Sequence, residues 1–270
     1  MNSNTTQPMN DALSISTDAL TKQYGSTTAV DDLDLAIPSG AIYGFLGPNG
    51  AGKTTTIRML TTLITPTSGT AQIVGESITD RQAVVPHIGY LPEEPPLYDE
   101  LTAREQLEYH GGLRDMDPSE IEERIGTLLD RFDLTTDADD RISTYSKGMK
   151  QKTGLIQALM HRPEVVVLDE PTSGLDPRAA RTVRETIAEL AAGDTTVFLS
   201  THILPVVEEL ATEVGILYDG ELVTEGPPDA LKERMETGEE GTLEDVFLDV
   251  TTDEAYDERG AETEPAGRTE

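Results

Sequence analysis

The chain has 270 residues, with 51 acidic against 20 basic side chains, a formal net charge of −31 and no cysteine. It is long enough to bury a substantial core in one domain or somewhat more. The absence of cysteine excludes disulfides and thiolate metal sites, and so negative a surface disfavours binding to nucleic acid. No apolar run approaches the roughly 18 residues of a membrane span, and the first ten residues lack the basic and apolar segments of a secretory signal.

Lysine is rare in this chain, and arginine supplies most of the basic side chains. The six lysines are Lys22, Lys53, Lys147, Lys150, Lys152 and Lys232. An acidic, lysine-poor composition resembles that of proteins from salt-in haloarchaea, whose surfaces stay soluble in concentrated salt. We therefore expect a halophilic host, because at low ionic strength the repulsion among carboxylates would strain the fold. The alternative is an ordinary acidic protein with disordered acidic tails.

Apolar patterning predicts many short strands. The chain opens with polar residues 1–11, which we expect to be loose. Alternating or continuous apolar runs then predict strands at residues 12–22, 29–37, 41–46, 70–74, 87–91, 165–168, 195–200, 214–218 and 221–224. Residues 65–69 are typical of a turn. Asp219-Gly220, between the last two strands, suits a type I′ hairpin turn.

Helical patterns dominate the middle of the chain, from about residue 93 to 160. Asp117 is followed by proline and glutamate in the order expected at a helix start. Another helix is predicted to begin at Asp176 and to end at Gly193. Residues 251–270 contain no Ile, Leu, Val, Phe or Met, and they predict a disordered acidic tail.

One stretch carries the strongest chemical signal. Gly47-Pro48-Asn49-Gly50-Ala51-Gly52-Lys53-Thr54-Thr55 fits G-x-x-x-x-G-K-[ST], between a predicted strand and a predicted helix. Its glycines let backbone N–H groups turn inward around a polyphosphate, and the helix N-terminus faces the anion. Lys53 can reach the β- and γ-phosphates, and the Thr54 hydroxyl can join a Mg²⁺ shell. The predicted phosphate-binding residues are Asn49, Gly50, Ala51, Gly52, Lys53, Thr54 and Thr55.

Two consecutive acids supply a second half of a nucleotide site. Asp169 stands at the end of the apolar run 165–168, where a carboxylate can hold Mg²⁺ beside the phosphate loop. Glu170 has left the strand, and it could orient or deprotonate a water that attacks the γ-phosphate. Without the phosphate loop upstream, two acids after a strand would be unremarkable in so acidic a chain.

Taken in order, further stretches resemble the ATP-binding-cassette (ABC) family over about residues 20–248. Tyr145-Ser146-Lys147-Gly148-Met149 stands where the family has L-S-G-G-Q, and Ser173-Gly174-Leu175-Asp176 matches its D-loop. His202, after the strand at 195–200, matches its switch histidine. Tyr24 stands where an aromatic ring stacks on adenine, although plain packing is an alternative for that side chain.

The resemblance implies a fold and a division of labour between two subunits. The implied fold is α/β: a P-loop NTPase core with a parallel sheet flanked by helices, an N-terminal antiparallel β subdomain and a helical insert at about residues 93–160, all within an ATPase domain at 12–250. Ser146 and the Gly148 N–H would bind the γ-phosphate of ATP held by a second ATPase subunit, identical or not, and His202 would contact the γ-phosphate. The implied cofactors are ATP and Mg²⁺, with Thr54, Asp169 and Glu93 as metal ligands and Glu170 and His202 as catalytic residues.

Two departures from the family pattern stand out. Glu93 occupies a position where the family commonly has Gln, so its role as a metal ligand is open. Lys147 and Met149 replace Gly and Gln of the L-S-G-G-Q stretch, and Lys147, Lys150 and Lys152 are half of all the lysines. They form either a solvated helix face or a device that offsets the acidic field around incoming ATP.

The implied function is that of the ATPase subunit of a transporter whose permease is a separate chain, placed peripherally on the cytoplasmic face of the membrane. The stretch 243–248 resembles the branch that powers multidrug, sodium and copper-type exporters. The helical insert and the region of Glu93 would form the groove for a cytoplasmic helix of the permease. The alternatives are a soluble ABC ATPase in repair, translation or cofactor assembly and a non-hydrolysing regulator. Copurification with membranes discriminates the first alternative, and ATP turnover discriminates the second.

Overall fold

The computed structural model describes residues 12–233 and 241–251. The predicted loose segment 1–11 lies outside the described residues, as does the predicted tail beyond Thr251. The strands are β1 Leu13–Tyr24, β2 Thr27–Pro38, β3 Ile42–Leu46, β4 Ser68–Ile73, β5 Glu76–Ser77, β6 Ile88–Leu91, β7 Val165–Asp169, β8 Thr196–Ser200, β9 Glu213–Tyr218 and β10 Glu221–Gly226. The helices are α1 Lys53–Leu60, α2 Arg81–Val84, α3 Ala103–Leu113, α4 Pro118–Arg131, α5 Lys147–Leu159, α6 Pro177–Ala192, α7 Leu204–Leu210, α8 Pro228–Glu233 and α9 Leu243–Val250.

Two sheets organise these elements. The antiparallel sheet has the order β2-β1-β4-β5, and the six-stranded sheet has the order β10-β9-β3-β8-β7-β6. In the larger sheet every neighbouring pair is parallel except the β9–β10 hairpin. The predicted α/β fold, with a mainly parallel sheet and an N-terminal antiparallel unit, is therefore confirmed. The carboxyl ends of β3, β7 and β8 meet at one edge, where ligands of such sheets bind.

The larger sheet is buried on both faces, as its continuous apolar strands predict. Along β7, Val165 and Val167 join the core shared with the antiparallel sheet and α1. Val166 and Leu168 join the core shared with α4, α5 and α6. The apolar face of α4 packs into that second core and is buried over its whole length. Both layers hold β7 rigidly, and its final residue is thereby fixed at the carboxyl edge.

Local chemistry explains most element boundaries. The Asp117 carboxylate accepts from the Ser119 N–H at the start of α4, as predicted, and Asp176 caps α6 in the same way. Helix α6 ends where it was predicted to end, but the left-handed residue is Asp194 at φ 66°, since Gly193 has φ −101°. Strand β4 begins at Ser68, inside the predicted turn, because Ser68 pairs with Thr21 of β1.

Helices are the dominant structure between residues 93 and 160, where α3, α4 and α5 lie. The short helices α2, α7 and α8 have no counterpart among the predicted elements, since four to seven residues are too few for a periodic pattern. In the described part of the chain, no helix combines the length and the apolar character that crossing a membrane requires.

Candidate nucleotide site

The phosphate loop connects β3 to α1 at the carboxyl edge of the larger sheet. Gly52 is the N-cap of α1 with φ 110°, and a Cβ on it would stand 2.3 Å from the Ala29 carbonyl oxygen of β2. No other residue fits that approach. The Gly220 N–H, in the β9–β10 turn, donates to the Ala51 carbonyl at 3.0 Å. The loop is therefore clamped between β2 and the hairpin turn.

The Lys53 residue begins α1, and its side chain reaches back into the phosphate loop. Its Nζ donates to the carbonyl oxygens of Gly47 at 2.6 Å and Pro48 at 3.0 Å. Burial lowers the pKa of Lys53, and the nearby carboxylates of Glu170 and Asp169 oppose that shift. A half-buried ammonium beside two carboxylates is suited to bind the anionic phosphates of a nucleotide.

The acid pair ends β7 as predicted. Asp169 is the last strand residue and is 6% exposed. Burial raises the pKa of its carboxyl group, and the charges of Glu170 and Glu93 add to that rise, while the neighbouring Ser200 hydroxyl and the charge of Lys53 oppose it. The structure thus brings Glu93, on the loop after β6, close enough to Asp169 to influence its charge.

The Glu170 carboxylate makes three contacts with the residues that follow β8. The Glu170 backbone turns out of the strand at φ 50°, and its N–H donates to the Ser200 carbonyl at 2.8 Å. One carboxylate oxygen accepts from the Thr201 hydroxyl at 3.0 Å. The other lies 3.0 Å from the donating His202 N–H and 2.8 Å from the His202 ring Nδ1. The His202 ring remains 64% exposed, so it is free to contact a ligand as well.

The residues present fit a Mg²⁺ ion that is bound together with a nucleotide. Mg²⁺ prefers oxygen ligands, and it is usually held by one or two protein groups plus phosphate oxygens and water. Thr54, exposed at the start of α1, and the Asp169 carboxylate offer such oxygens. The described residues include no cluster of three or more histidines and carboxylates that could hold a metal ion without a nucleotide.

The remaining predicted residues lie on two other segments. Tyr24 ends β1 at the β1–β2 hairpin, and its ring is exposed with the Lys22 ammonium 5.3 Å from the ring centroid. Ser146 is the N-cap of α5, and its hydroxyl oxygen accepts from the Met149 N–H at 3.2 Å. Gly148 lies in the first turn of α5, where a Cβ would be 3.8 Å from Leu175 and Ala179. The Ser146 segment therefore packs beside the D-loop.

Sequence reasoning missed Thr201, whose hydroxyl helps to hold Glu170. Its only signal in the sequence is its place between the last residue of β8 and His202. The Asp219-Gly220 turn, predicted only as a hairpin connection, also contributes by bonding to Ala51. Both contacts join segments that are far apart in the chain.

Comparisons with known proteins agree with the resemblance that the sequence motifs indicate. The family model described as "ABC transporter" matches residues 30–173. The bacitracin transport ATP-binding protein of Bacillus licheniformis is 43% identical over 82% of this chain and 72% of its own length. A daunorubicin resistance ATP-binding protein of Streptomyces coeruleorubidus is 39% identical over 87% of this chain and 73% of its own.

Solved structures agree with these sequence matches. The ATP-binding subunit of an ABC transporter is 30% identical with a TM-score of 0.81, over 88% of this chain and 99% of that one. A dimeric bacterial ABC transporter cassette is 25% identical with a TM-score of 0.73, over 79% of this chain and 98% of that one. On these matches the chain belongs to the ABC transporter family and carries its ATPase domain.

Proposed function

We propose that this chain hydrolyses ATP to drive export through a separate membrane permease, on the cytoplasmic face of the membrane. One observation carries the hydrolytic part of the proposal. Glu170 is held by Thr201 and His202 at the edge where Lys53 and Asp169 also lie. A fixed, largely buried carboxylate next to a phosphate cradle has the position that a water-activating base requires.

Within one chain, the loop from Asn49 to Thr55 would cradle the phosphates through its backbone N–H groups, and Lys53 would leave the loop carbonyls to contact the β- and γ-phosphates. The exposed Tyr24 ring would stack on the adenine. Thr54 and Asp169 would hold Mg²⁺, with Glu93 as a further carboxylate from the neighbouring loop. When bound, Mg²⁺ supplies charge compensation for the phosphates and for the three carboxylates.

Glu170 would orient the attacking water and accept its proton. The Thr201 hydroxyl and the His202 N–H keep the carboxylate pointed toward the site, so little reorganisation is needed at the moment of reaction. The exposed His202 ring would contact the γ-phosphate and link that contact to Glu170 through the 2.8 Å ring contact. Hydrolysis would therefore be sensed by the same pair that promotes it.

A second copy would complete the site. Ser146 is exposed at the tip of α5, and its hydroxyl proton is free to donate because its oxygen already accepts from Met149. The Gly148 N–H adds a donor at the same helix start. Two chains arranged head to tail would bring these donors to the γ-phosphate held by the other chain, and loss of that phosphate would weaken the dimer. The dimeric cassette of similar fold supports this arrangement.

A groove near the Glu93 loop supports docking of a permease. It encloses about 540 Å³. It is lined by residues of the Glu93 loop, α1, α2 and α3, including Arg58, Arg81, Pro92, Glu94, His110 and Arg114. Beside it, Tyr98 and Tyr109 meet edge-on at 5.9 Å and stay exposed with Leu113. Such an apolar and polar mixture suits a cytoplasmic helix of the permease.

Export, rather than import, is supported by a helix near the end of the described chain and by the names of two relatives. The stretch 243–248 forms α9, which begins with a capping box between Thr242 and Asp245 and packs Leu243 and Val246 into the core. This helix is the feature that resembles the exporter branch. The two relatives are named for bacitracin transport and daunorubicin resistance, which agrees with removal of toxic compounds.

The decisive experiment is Glu170→Gln in the full chain with ATP and Mg²⁺. Turnover should fall about 10²- to 10⁴-fold, the usual share of a general base, while ATP should still drive dimer formation in size-exclusion chromatography. Glu189→Gln is the matched control, since Glu189 pairs with Arg131 at the end of α6. Normal hydrolysis by the Glu170 variant would contradict the proposal. Copurification with a coexpressed permease then tests the transport part.

A further inference from the structure

Two of the described helices begin with a lysine, and they are the two helices at the proposed composite site. Helix α1 starts at Lys53 and α5 starts at Lys147. The Lys53 ammonium already has partners, since it donates to loop carbonyls and lies near two carboxylates. Lys147 stands in the L-S-G-G-Q segment, where the family pattern has no charged residue, and the function described so far leaves it unused.

A lysine at the start of α5 is unfavourable for the helix itself. The N-terminus of a helix carries a partial positive charge, which favours acidic residues and disfavours cations. The first turn of α5 contains no acidic residue, as is also true of α1, α2, α6 and α7, whereas α3, α4, α8 and α9 each have at least one. The first turn of α5 instead carries two lysines, Lys147 and Lys150, in a chain with 51 acidic residues.

The other two lysines of α5 have partners, so the three are not equivalent. Lys150 pairs with Asp99 at 2.7 Å, and the Lys152 ammonium donates to the Phe132 carbonyl at 2.8 Å. Within residues 12–233 and 241–251, Lys147 makes neither an ion pair nor a hydrogen bond, and its side chain is exposed. Only Lys147 therefore has an uncommitted positive charge.

The position of that charge is nevertheless defined. The Lys147 side chain lies across the D-loop at Gly174, where a Cβ would stand 2.6 Å from the Lys147 Nζ. Gly174 has φ 68°, a conformation that suits glycine, and the missing side chain leaves room for the ammonium. The ammonium is thus held against the D-loop backbone, on the residue that follows Ser146 at the start of α5.

We infer that Lys147 binds the γ-phosphate of ATP held by the second copy, beside Ser146. This inference rests on the head-to-tail arrangement proposed above. In that arrangement, the triphosphate of ATP is the anion that reaches the tip of α5. Its negative charge would offset the partial positive charge of the helix terminus and the charge of the Lys147 ammonium. Lys147 would also reduce the repulsion that opposes closure of two chains of net charge −31.

The consequence is a stronger preference for ATP over ADP in the closed dimer. A neutral glycine at this position would leave recognition to Ser146 and backbone N–H groups. An ammonium adds a charge-assisted contact to the terminal phosphate, and that contact disappears when the phosphate leaves. Lys147 is therefore a specificity-determining residue for dimer closure, and it plays no part in nucleotide binding by a single chain.

The test compares charge variants of α5 in the hydrolysis-deficient Glu170→Gln chain. Adding Lys147→Gln should raise the ATP concentration for half-maximal dimer formation about tenfold, within the range of a lost charge-assisted hydrogen bond. Binding of a fluorescent ADP analogue to the single chain should change less than about twofold. Lys147→Arg should restore dimer formation. Lys150→Gln is the matched control, since it removes one charge from the same helix but from a residue paired with Asp99.

Each result separates this inference from the function on which it rests. Dimer formation by Lys147→Gln at unchanged ATP concentrations would overturn it, as would equal losses in the Lys147→Gln and Lys150→Gln chains. A Lys147→Arg chain as weak as Lys147→Gln would overturn the role of charge. The Ser146→Ala chain tests the underlying arrangement: if it too forms dimers normally, the head-to-tail proposal fails as well. If only Ser146→Ala loses dimer formation, the arrangement holds and the role of Lys147 does not.

Discussion

The two lysine-led helix starts, α1 and α5, differ in what the chain itself provides for them. Lys53 is half-buried, with the Gly47 and Pro48 carbonyls as temporary partners and Asp169 and Glu170 nearby. Lys147 is exposed and lies over a glycine. In the proposed arrangement, the first half-site is complete within one chain and needs only a ligand. The second presents donors and charge outward, and under the head-to-tail proposal it needs both a ligand and another chain.

The largest expected effect comes from separating the two half-sites by mutation. Lys53→Ala and Ser146→Ala should each lower ATP turnover at least about 100-fold, as removal of one oxyanion donor does. When the two variants are mixed, heterodimers should regain turnover, because one of their sites combines an intact Lys53 with an intact Ser146. The measurement is the ATPase rate against mixing ratio.

A second mixture controls for this rescue. Lys53 and Glu170 belong to the same half-site, so a mixture of Lys53→Ala with Glu170→Gln should stay inactive. Rescue in this second mixture, or none in the first, would break the distinction between a half-site complete in one chain and one that acts across the dimer.

Asp169→Asn tests the role of the buried carboxylate in the first half-site, the one that contains Lys53. Turnover with Mg²⁺ should fall about 100-fold or more, since a charged metal ligand is lost. Burial and the charges of Glu170 and Glu93 raise the pKa of Asp169, so the folded chain holds its ionised form at a cost at pH 7. The nucleotide-free variant should therefore melt a few degrees higher than the parent. Asp194→Asn, just before β8 and thus at the opposite edge of the sheet, should not.

Salt tests the acidic surface that both half-sites share. Raising KCl from about 0.1 M to about 3 M should increase the Tm by several degrees, because screening relieves the repulsion behind a net charge of −31. A halophilic origin requires this direction. An equal or higher Tm in dilute buffer would contradict it, and the acidic composition would then reflect only an ordinary acidic protein.

The smallest effect concerns two histidines away from both helix starts. Burial and, to a lesser extent, the charge of Arg114 lower the pKa of His110 and of His161 to about 4. The unfolded chain therefore binds more protons than the folded chain between about pH 6.5 and 4, so stability falls as pH drops through that window. His161→Gln should reduce the loss of Tm between pH 7.5 and 5 by about 2 °C. An unchanged loss would assign acid sensitivity to other groups.

Much of the fold was predictable because neighbouring residues specify it. The continuous apolar runs of β7 and β8 indicate strands buried on both faces, and the structure confirms this. The start of α4 at Asp117 follows from a capping side chain two residues from its partner. The end of α6 shows the limit. Gly193 marks the position, but the left-handed conformation falls on Asp194.

The site divides in the same way. Residues 47–55, Asp169 and Glu170 were identified from their spacing, and the structure brings the loop and both acids together. The hydroxyl of Thr201 on Glu170 was not foreseen, because it depends on how two parallel strands are aligned. The roles of Tyr24, Ser146 and Gly148 stay predictions until a nucleotide complex tests them.

The amino-acid sequence by itself determined the identities and order of the chemical groups: a phosphate loop, two acids after a strand, and a serine at the start of a later helix. These depend on residues adjacent in the chain, whose backbone and side-chain preferences act locally. Only the tertiary structure decided which groups are already satisfied. Glu170 is fixed by residues 31 and 32 positions away, and Lys147 differs from Lys150 because Asp99 reaches one and not the other. Packing of distant segments sets those contacts, and no local pattern encodes them.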